Sequence, residues 1–210
     1  MNKTDKMPSS EVVRIVQALA YLLSLDDNGK MERIKLIKLL WAADRYHMRK
    51  YGRTISESRY LAMPHGPVCS LALDIAKLTP EFALADEDLE YISTYFTSDD
   101  KYTSMSKSPG DDRLSKSDKL MLKRAFDTFN DIGAFRSADK ISHDYPEWKK
   151  YAAMFDGGSR SSKPIDKADF FKNPGRDKYF GEDDDALAAA YEAFVERRAL
   201  VDALGNLGGE

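Results

Sequence analysis

The sequence predicts a mainly α protein of the α+β kind: a compact helical domain with a small antiparallel sheet or hairpin. Three observations lead there. Apolar residues recur at helical spacing over several long windows. A stretch rich in β-branched and aromatic residues brackets a polar turn. With 210 residues, 42% of them hydrophobic, the chain can pack one interior and is unlike a disordered chain.

The first helix is capped by Ser9 or Ser10 and carries Val12, Ile15, Val16, Leu19, Leu22 and Leu23, ending near Asp26-Asp27-Asn28-Gly29. A second runs from about Met31 to Tyr51 and stops at Gly52, a residue suited to the left-handed position that closes many helices. Its apolar residues Ile34, Ile37, Leu40, Trp41 and Met48 share one face, with Leu36, Leu39 and Tyr46 alongside. Lys35, Lys38, Arg45 and Arg49 form the remaining stripe, expected to face solvent. Asp44 falls within the apolar face, where an unpaired carboxylate is too costly, so it must be hydrogen-bonded. Arg59, His65 or the amides around Gly66 are the expected partners.

Arg59 to Met63 reads as a strand, stopped by Pro64-His65-Gly66-Pro67, after which Pro67 opens a helix bearing Val68, Leu71, Ile75 and Leu78. Leu89 to Ser106 reads as a hairpin around Ser98-Asp99-Asp100. Ser115 and Asp118 form a capping box for a helix burying Leu122, Ala125, Phe126 and Phe129 and closing at Gly133. A short helix follows from Arg136, and Pro146 opens another through Trp148, Tyr151 and Phe155. The polar stretch from Gly157 to Asp185 is expected to be a surface loop docked by Phe170, Phe171, Tyr179 and Phe180. A last helix, from about Asp185 to Leu204, aligns Leu187, Tyr191, Phe194, Val201 and Leu204.

The net charge of -3 gives no general attraction to nucleic acid, although residues 30–53 hold eight lysines and arginines against two acids. Such a basic run suits RNA, DNA or an acidic protein partner. The helix-turn-helix reading is weak, because the second helix looks too buried to enter a groove. Cys69 stands alone, so no disulfide forms within the chain, and it reads as a small core residue in a reducing compartment. The polar amino terminus resembles neither signal peptide nor membrane span, and the expectation is a cytoplasmic protein.

His47, His65 and His143 are the only histidines, and none stands in a zinc-binding spacing or beside a clear nucleophile. Asp44 and His47, at i and i+3, are more simply a buried polar pair than a metal site. Gly157-Gly158-Ser159 lacks the setting of a phosphate loop, and no Gly-x-Ser-x-Gly elbow occurs. The expectation is a binding protein with no enzymatic activity, cofactor or metal.

One run of residues is more specific. Lys38-Leu39-Leu40-Trp41-Ala42-Ala43-Asp44-Arg45, then Tyr51-Gly52-Arg53-Thr54-Ile55, then Arg59 to Val68 with Met63-Pro64-His65-Gly66-Pro67 at its centre, resembles the Panacea, or SocA-like, domain family. Ser137-Ala138, Ser142-His143 and Pro146-Glu147-Trp148 are similar to its downstream motif. The resemblance implies an antitoxin of a bacterial or phage toxin-antitoxin pair, such as one carried by a prophage. Its partner would be a cognate toxin protein, blocked directly or, in one SocA-like mode, presented to a ClpXP-type protease by the antitoxin acting as an adaptor; a nucleic-acid-binding regulator is the further alternative. On this basis residues 1–156 are the Panacea/SocA-like domain and 157–185 a long polar loop, with 186–210 a C-terminal helix and tail packed on the same domain. Trp41, Asp44, Met63, Gly66, Pro67, His143 and Pro146 would set the architecture. Arg45, Arg49, Tyr60, His65 and Trp148 would meet the partner, while nucleic acid and membrane are not expected partners.

Overall fold

A computed structural model describes residues 7–78, 84–132 and 141–207, with side chains through Leu204. The elements run α1 (Ser10–Ser24), β1 (Lys30–Glu32), α2 (Arg33–Tyr51), β2 (Tyr60–Met63), β3 (Gly66–Cys69), α3 (Ser70–Lys77), α4 (Asp86–Tyr95), β4 (Phe96–Ser98) and β5 (Tyr102–Met105). There follow α5 (Lys116–Phe129), α6 (Pro146–Lys149), α7 (Ala152–Asp156), β6 (Lys163–Pro164), a 3-10 helix (Lys167–Phe171) and α8 (Asp184–Leu207). The protein is mainly α with two small antiparallel sheets, ordered β1-β5-β4 and β3-β2-β6.

The second helix is the hub, packing against α1, α3, α5, β3, the 3-10 helix and α8. A helix surrounded in this way needs apolar residues on nearly every side, and Leu36, Leu39, Leu40, Trp41, Tyr46 and Met48 are all buried. Its end at Gly52 has φ +69°, which lets the amide reach back to the Met48 carbonyl. A side chain there would also collide with α8, since a Cβ would lie 2.6 Å from the Ala190 carbonyl oxygen. The same glycine therefore ends α2 and admits the C-terminal helix. Around Ser115, the capping box forms as expected.

Several expectations need correction. The second helix begins at Arg33, because Met31 belongs to β1, paired with Thr103 of β5, and is buried there. Pro67 does not open a helix: it sits in β3 opposite Ala62, and the helix starts at Ser70. Tyr91 to Tyr95 are helical, and only Phe96–Ser98 and Tyr102–Met105 form the hairpin. Asp86, Glu87 and Asp88 fill the first turn of α4, where carboxylates favour a helix start. The helix opened by Pro146 is two short ones, α6 and α7. Residues 133–140, including Gly133 and Arg136, lie outside the described residues, whereas Ile141 to His143 are helical.

Residues 157–183 are more than a surface loop. They supply β6, which pairs with Leu61 and Ala62, and the 3-10 helix, and they bury Phe170, Phe171 and Phe180. Phe180 is the centre of an aromatic cluster, with ring centroids 4.5 Å from Tyr46, 5.0 Å from Tyr145 and 5.5 Å from Trp41. Among the described residues no helix is long and apolar enough to cross a membrane.

Candidate partner-binding surface

Asp44 is fully enclosed and takes four hydrogen bonds. The amides of Ile55 and Ser56 donate to Oδ1 at 2.6 and 3.1 Å, and the hydroxyls of Ser56 and Tyr60 donate to Oδ2 at 2.5 and 2.7 Å. None of the donors is charged. Burial raises the Asp44 carboxyl above the usual aspartate range, although these bonds pull the other way. The expected partners Arg59, His65 and the Gly66 amides are replaced by the nearer segment 55–60. Asp44 thus holds the connection between α2 and β2 against the core. Burial pushes the neighbouring Cys69 thiol up to about 12, so it is an inert core group.

Arg45 and Arg49, one turn apart on α2, point inward and not toward solvent. Arg45 pairs with buried Glu147 at 2.6 Å, donates to the Lys172 carbonyl at 2.7 Å, and lies over the Tyr145 ring at 4.3 Å. Trp41 Nε1 donates to the other Glu147 oxygen at 3.1 Å. Arg49 donates to the carbonyls of Phe170, Phe171 and Phe180 and to Asn173 Oδ1. A guanidinium suits this task, since its planar fork satisfies several carbonyls at once and stays charged when buried. Burial, then the charge of Arg45, lower its pKa from the ordinary value. Together the two arginines tie residues 170–180 to α2.

His47 turns away from Asp44. Its Nδ1 lies 2.9 Å from the Arg53 carbonyl, to which it donates, and Nε2 lies 3.0 Å from Asp118 Oδ1. Burial alone would raise the Asp118 carboxyl, but His47, the Ser115 amide and hydroxyl and Arg53 hold it well below the carboxylate range. Among the described residues no group of histidines, cysteines and carboxylates is placed to hold a metal.

The turn Met63-Pro64-His65-Gly66 closes the β2-β3 hairpin. Gly66 has φ +104°, and a Cβ there would overlap the Lys38 ammonium and the Ser142 hydroxyl. Lys38 Nζ donates to the Pro67 carbonyl at 3.2 Å, and Trp148 Nε1 donates to the Met63 carbonyl at 2.7 Å. His143 stacks on the Trp148 ring with centroids 3.6 Å apart, and Pro146 starts α6, which presents Glu147 and Trp148 inward. The turn is thereby held from behind while His65 at its tip is exposed. Beside it opens a cavity of about 350 Å³ floored by Ile34, Ile37, Met63, Val68 and Leu73. Arg33, Lys77 and Lys101 line it together with the acids Glu32 and Asp100, and Lys101 is ion-paired with Glu32.

The solvent-facing basic stripe expected on α2 is corrected by these positions: Lys38, Arg45 and Arg49 are buried, and Lys35 is half-buried. Of the five residues expected to meet a partner, Arg45, Arg49, Tyr60 and Trp148 lie in the interior with partners inside the chain, and His65 alone is at the surface. The first four hold the turn and the C-terminal segment in place. Sequence reasoning missed Glu147 and Asn173, whose link to α2 spans more than 100 residues. A lone glutamate beside Trp148 was the one available signal.

Comparison with curated proteins and with solved structures finds no match. A family model does match, over residues 36–149, and is described as the antitoxin SocA-like, Panacea domain. That span contains the Asp44 pocket, Arg45, Arg49, the hairpin turn and Glu147, but not the segment 170–180 that the arginines hold. The match covers more than half of the chain, and the protein belongs to the antitoxin SocA-like, Panacea domain family.

Proposed function

We propose that this protein is an antitoxin that neutralises a cognate toxin by binding it directly, acting without catalysis in the cytoplasm. Membership of the family is the observation that carries the reading. The contact face we assign is the β2-β3 turn with its adjoining cavity. It combines an apolar floor with charged residues of both signs around it, and its backbone is held by Trp148, Lys38 and the Asp44 cluster. A rigid concave face of that kind loses little entropy when a partner docks. The burial of Lys38, Arg45 and Arg49 weakens the nucleic-acid reading, because it withdraws three of the eight cations of the basic run at residues 30–53 from the surface.

The test is to express each neighbouring gene from an inducible promoter, alone and together with this protein, following growth and co-purification. Toxicity alone, rescue on co-expression and a stable complex are expected. If neither neighbour is toxic, the antitoxin reading fails.

A further inference from the structure

Residues 163–180 lie on the body in the manner of a bound peptide. Lys163 and Pro164 extend the sheet from the edge of β2, and the Ile165 amide donates to the Tyr60 carbonyl at 2.9 Å. Six carbonyls of the segment are taken by side chains of the body, at 2.7–3.1 Å. Arg49 binds those of Phe170, Phe171 and Phe180, Arg45 that of Lys172, and the hydroxyls of Tyr46 and Tyr151 those of Tyr179 and Pro164. Ile165, Phe170 and Phe180 enter the interior, Phe170 with its ring 5.2 Å from that of Tyr60. Strand addition at a sheet edge, captured main-chain carbonyls and a few buried anchors are the means by which a groove holds a peptide.

The chain leading into this segment has the character of a tether. Gly157, Gly158, Arg160, Ser161 and Ser162 are exposed, Gly158 has φ +83°, and the hydrogen bonds of 157–161 run to residues 153–155 or stay within the stretch. Arg45, Tyr46 and Arg49 belong to the family-matched residues 36–149, whereas the segment they hold does not.

We infer that the face of the body formed by α2 and β2 is a peptide-binding groove, which this chain fills with its own residues 163–180 and which takes an equivalent segment of a partner protein when that strap is displaced. The arginines meet carbonyls at this face, so its ligand is defined by main chain and by apolar anchors spaced as Ile165, Phe170 and Phe180. Asp169 and Asp177 add contacts at the edge, to Lys150 and Tyr145. A tether of a few residues keeps the strap at an effective concentration on the order of millimolar, so the groove is closed to a competing segment until the strap is released. The inference stands apart from the antitoxin reading, and its test involves no toxin.

A specific protease site inserted between Gly158 and Ser159 lets the full chain be cut after folding. The cut protein is unfolded in urea and refolded in a large excess of a labelled synthetic peptide of residues 163–183, and uptake is read by size-exclusion chromatography. The peptide is expected to elute with the body. A twin carrying Phe170→Ser and Phe180→Ser should be taken up at least about tenfold less. The uncut protein, treated in the same way, should also take up at least about tenfold less of the native peptide. No uptake by the cut protein, equal uptake of the twin, or equal uptake by the uncut protein overturns the proposal. So does a cut protein that fails to refold without peptide, because the strap is then an inseparable part of a single core.

Discussion

Replacing Asp44 by alanine removes one acceptor group and strands four donors at a site that water does not reach. The two hydroxyls, on Ser56 and Tyr60, can rotate toward other acceptors, but the amides of Ile55 and Ser56 are fixed by the backbone. A buried donor left without a partner costs about 1–3 kcal/mol, so the two amides alone cost about 2–6 kcal/mol. Loss of the buried charge returns part of this, since burial raises the Asp44 carboxyl and its ionised form is held at some expense. A net loss of about 3 kcal/mol is expected, equivalent to a melting point lower by about 6–12 °C for a chain of this length. Asp44→Asn should lose less than half as much, because its carbonyl still serves the amides and its NH2 can donate to both hydroxyl oxygens. Urea unfolding at neutral pH followed by tryptophan fluorescence measures all three proteins. An Asp44→Ala protein within about 0.5 kcal/mol of the parent would refute the buried-acceptor argument. The pH dependence supplies a check of sign. A carboxyl whose folded pKa is raised penalises the folded state at high pH, and that penalty disappears as pH falls through the folded value. The parent should therefore gain on Asp44→Asn as pH falls from neutral toward about 4, the unfolded value.

Three further outcomes follow from the same packing. Asp118, held well below the usual range, contributes stability that is present above about pH 4 and lost as pH falls further; Asp118→Asn should flatten the acid limb of the stability profile. Arg49→Met leaves three buried carbonyls without a donor and should cost on the order of 3–5 kcal/mol. Limited proteolysis of that variant should cut first between residues 157 and 183, and a fragment pattern unchanged from the parent would contradict it. Gly52→Ala forces a left-handed residue into contact with the Ala190 carbonyl, at a cost of roughly 1–3 kcal/mol, and should speed hydrogen exchange in α8 more than in α5.

The helices α1, α2, α5 and α8 were legible because each repeats apolar residues at helical spacing over three or more turns, with Ser9, Gly52 and the Ser115–Asp118 box marking their ends. The short elements were not. Tyr91 to Tyr95 carry β-branched and aromatic side chains that suit a strand equally well, and only the acids at 86–88 argue for the helix that forms. Pro67 lacks a donor wherever it sits, so its place in β3 depends on the turn before it and on pairing with Ala62.

At the candidate site, the need to satisfy Asp44 was legible from a carboxylate on an apolar face, but the identity of its donors was not. Arg45 and Arg49 misled for related reasons. The carboxylate that pairs with Arg45, Glu147, lies 102 residues away in the chain, and Arg49 is held mainly by backbone carbonyls, which leave no mark in the sequence, so periodicity assigns both to the outside. The same holds for the exposure of Val201 and Leu204: the apolar stripe of α8 is visible, but how far the body extends beneath it is a tertiary fact.

The central claim, neutralisation by direct binding, is tested most directly by measuring growth rescue from the neighbour-encoded toxin in a host lacking its ClpXP-type protease. Full rescue, together with a toxin complex that survives size-exclusion chromatography, is the expected result. Rescue that vanishes without the protease, while toxin levels rise, would contradict direct neutralisation and identify delivery for degradation as the mode of action.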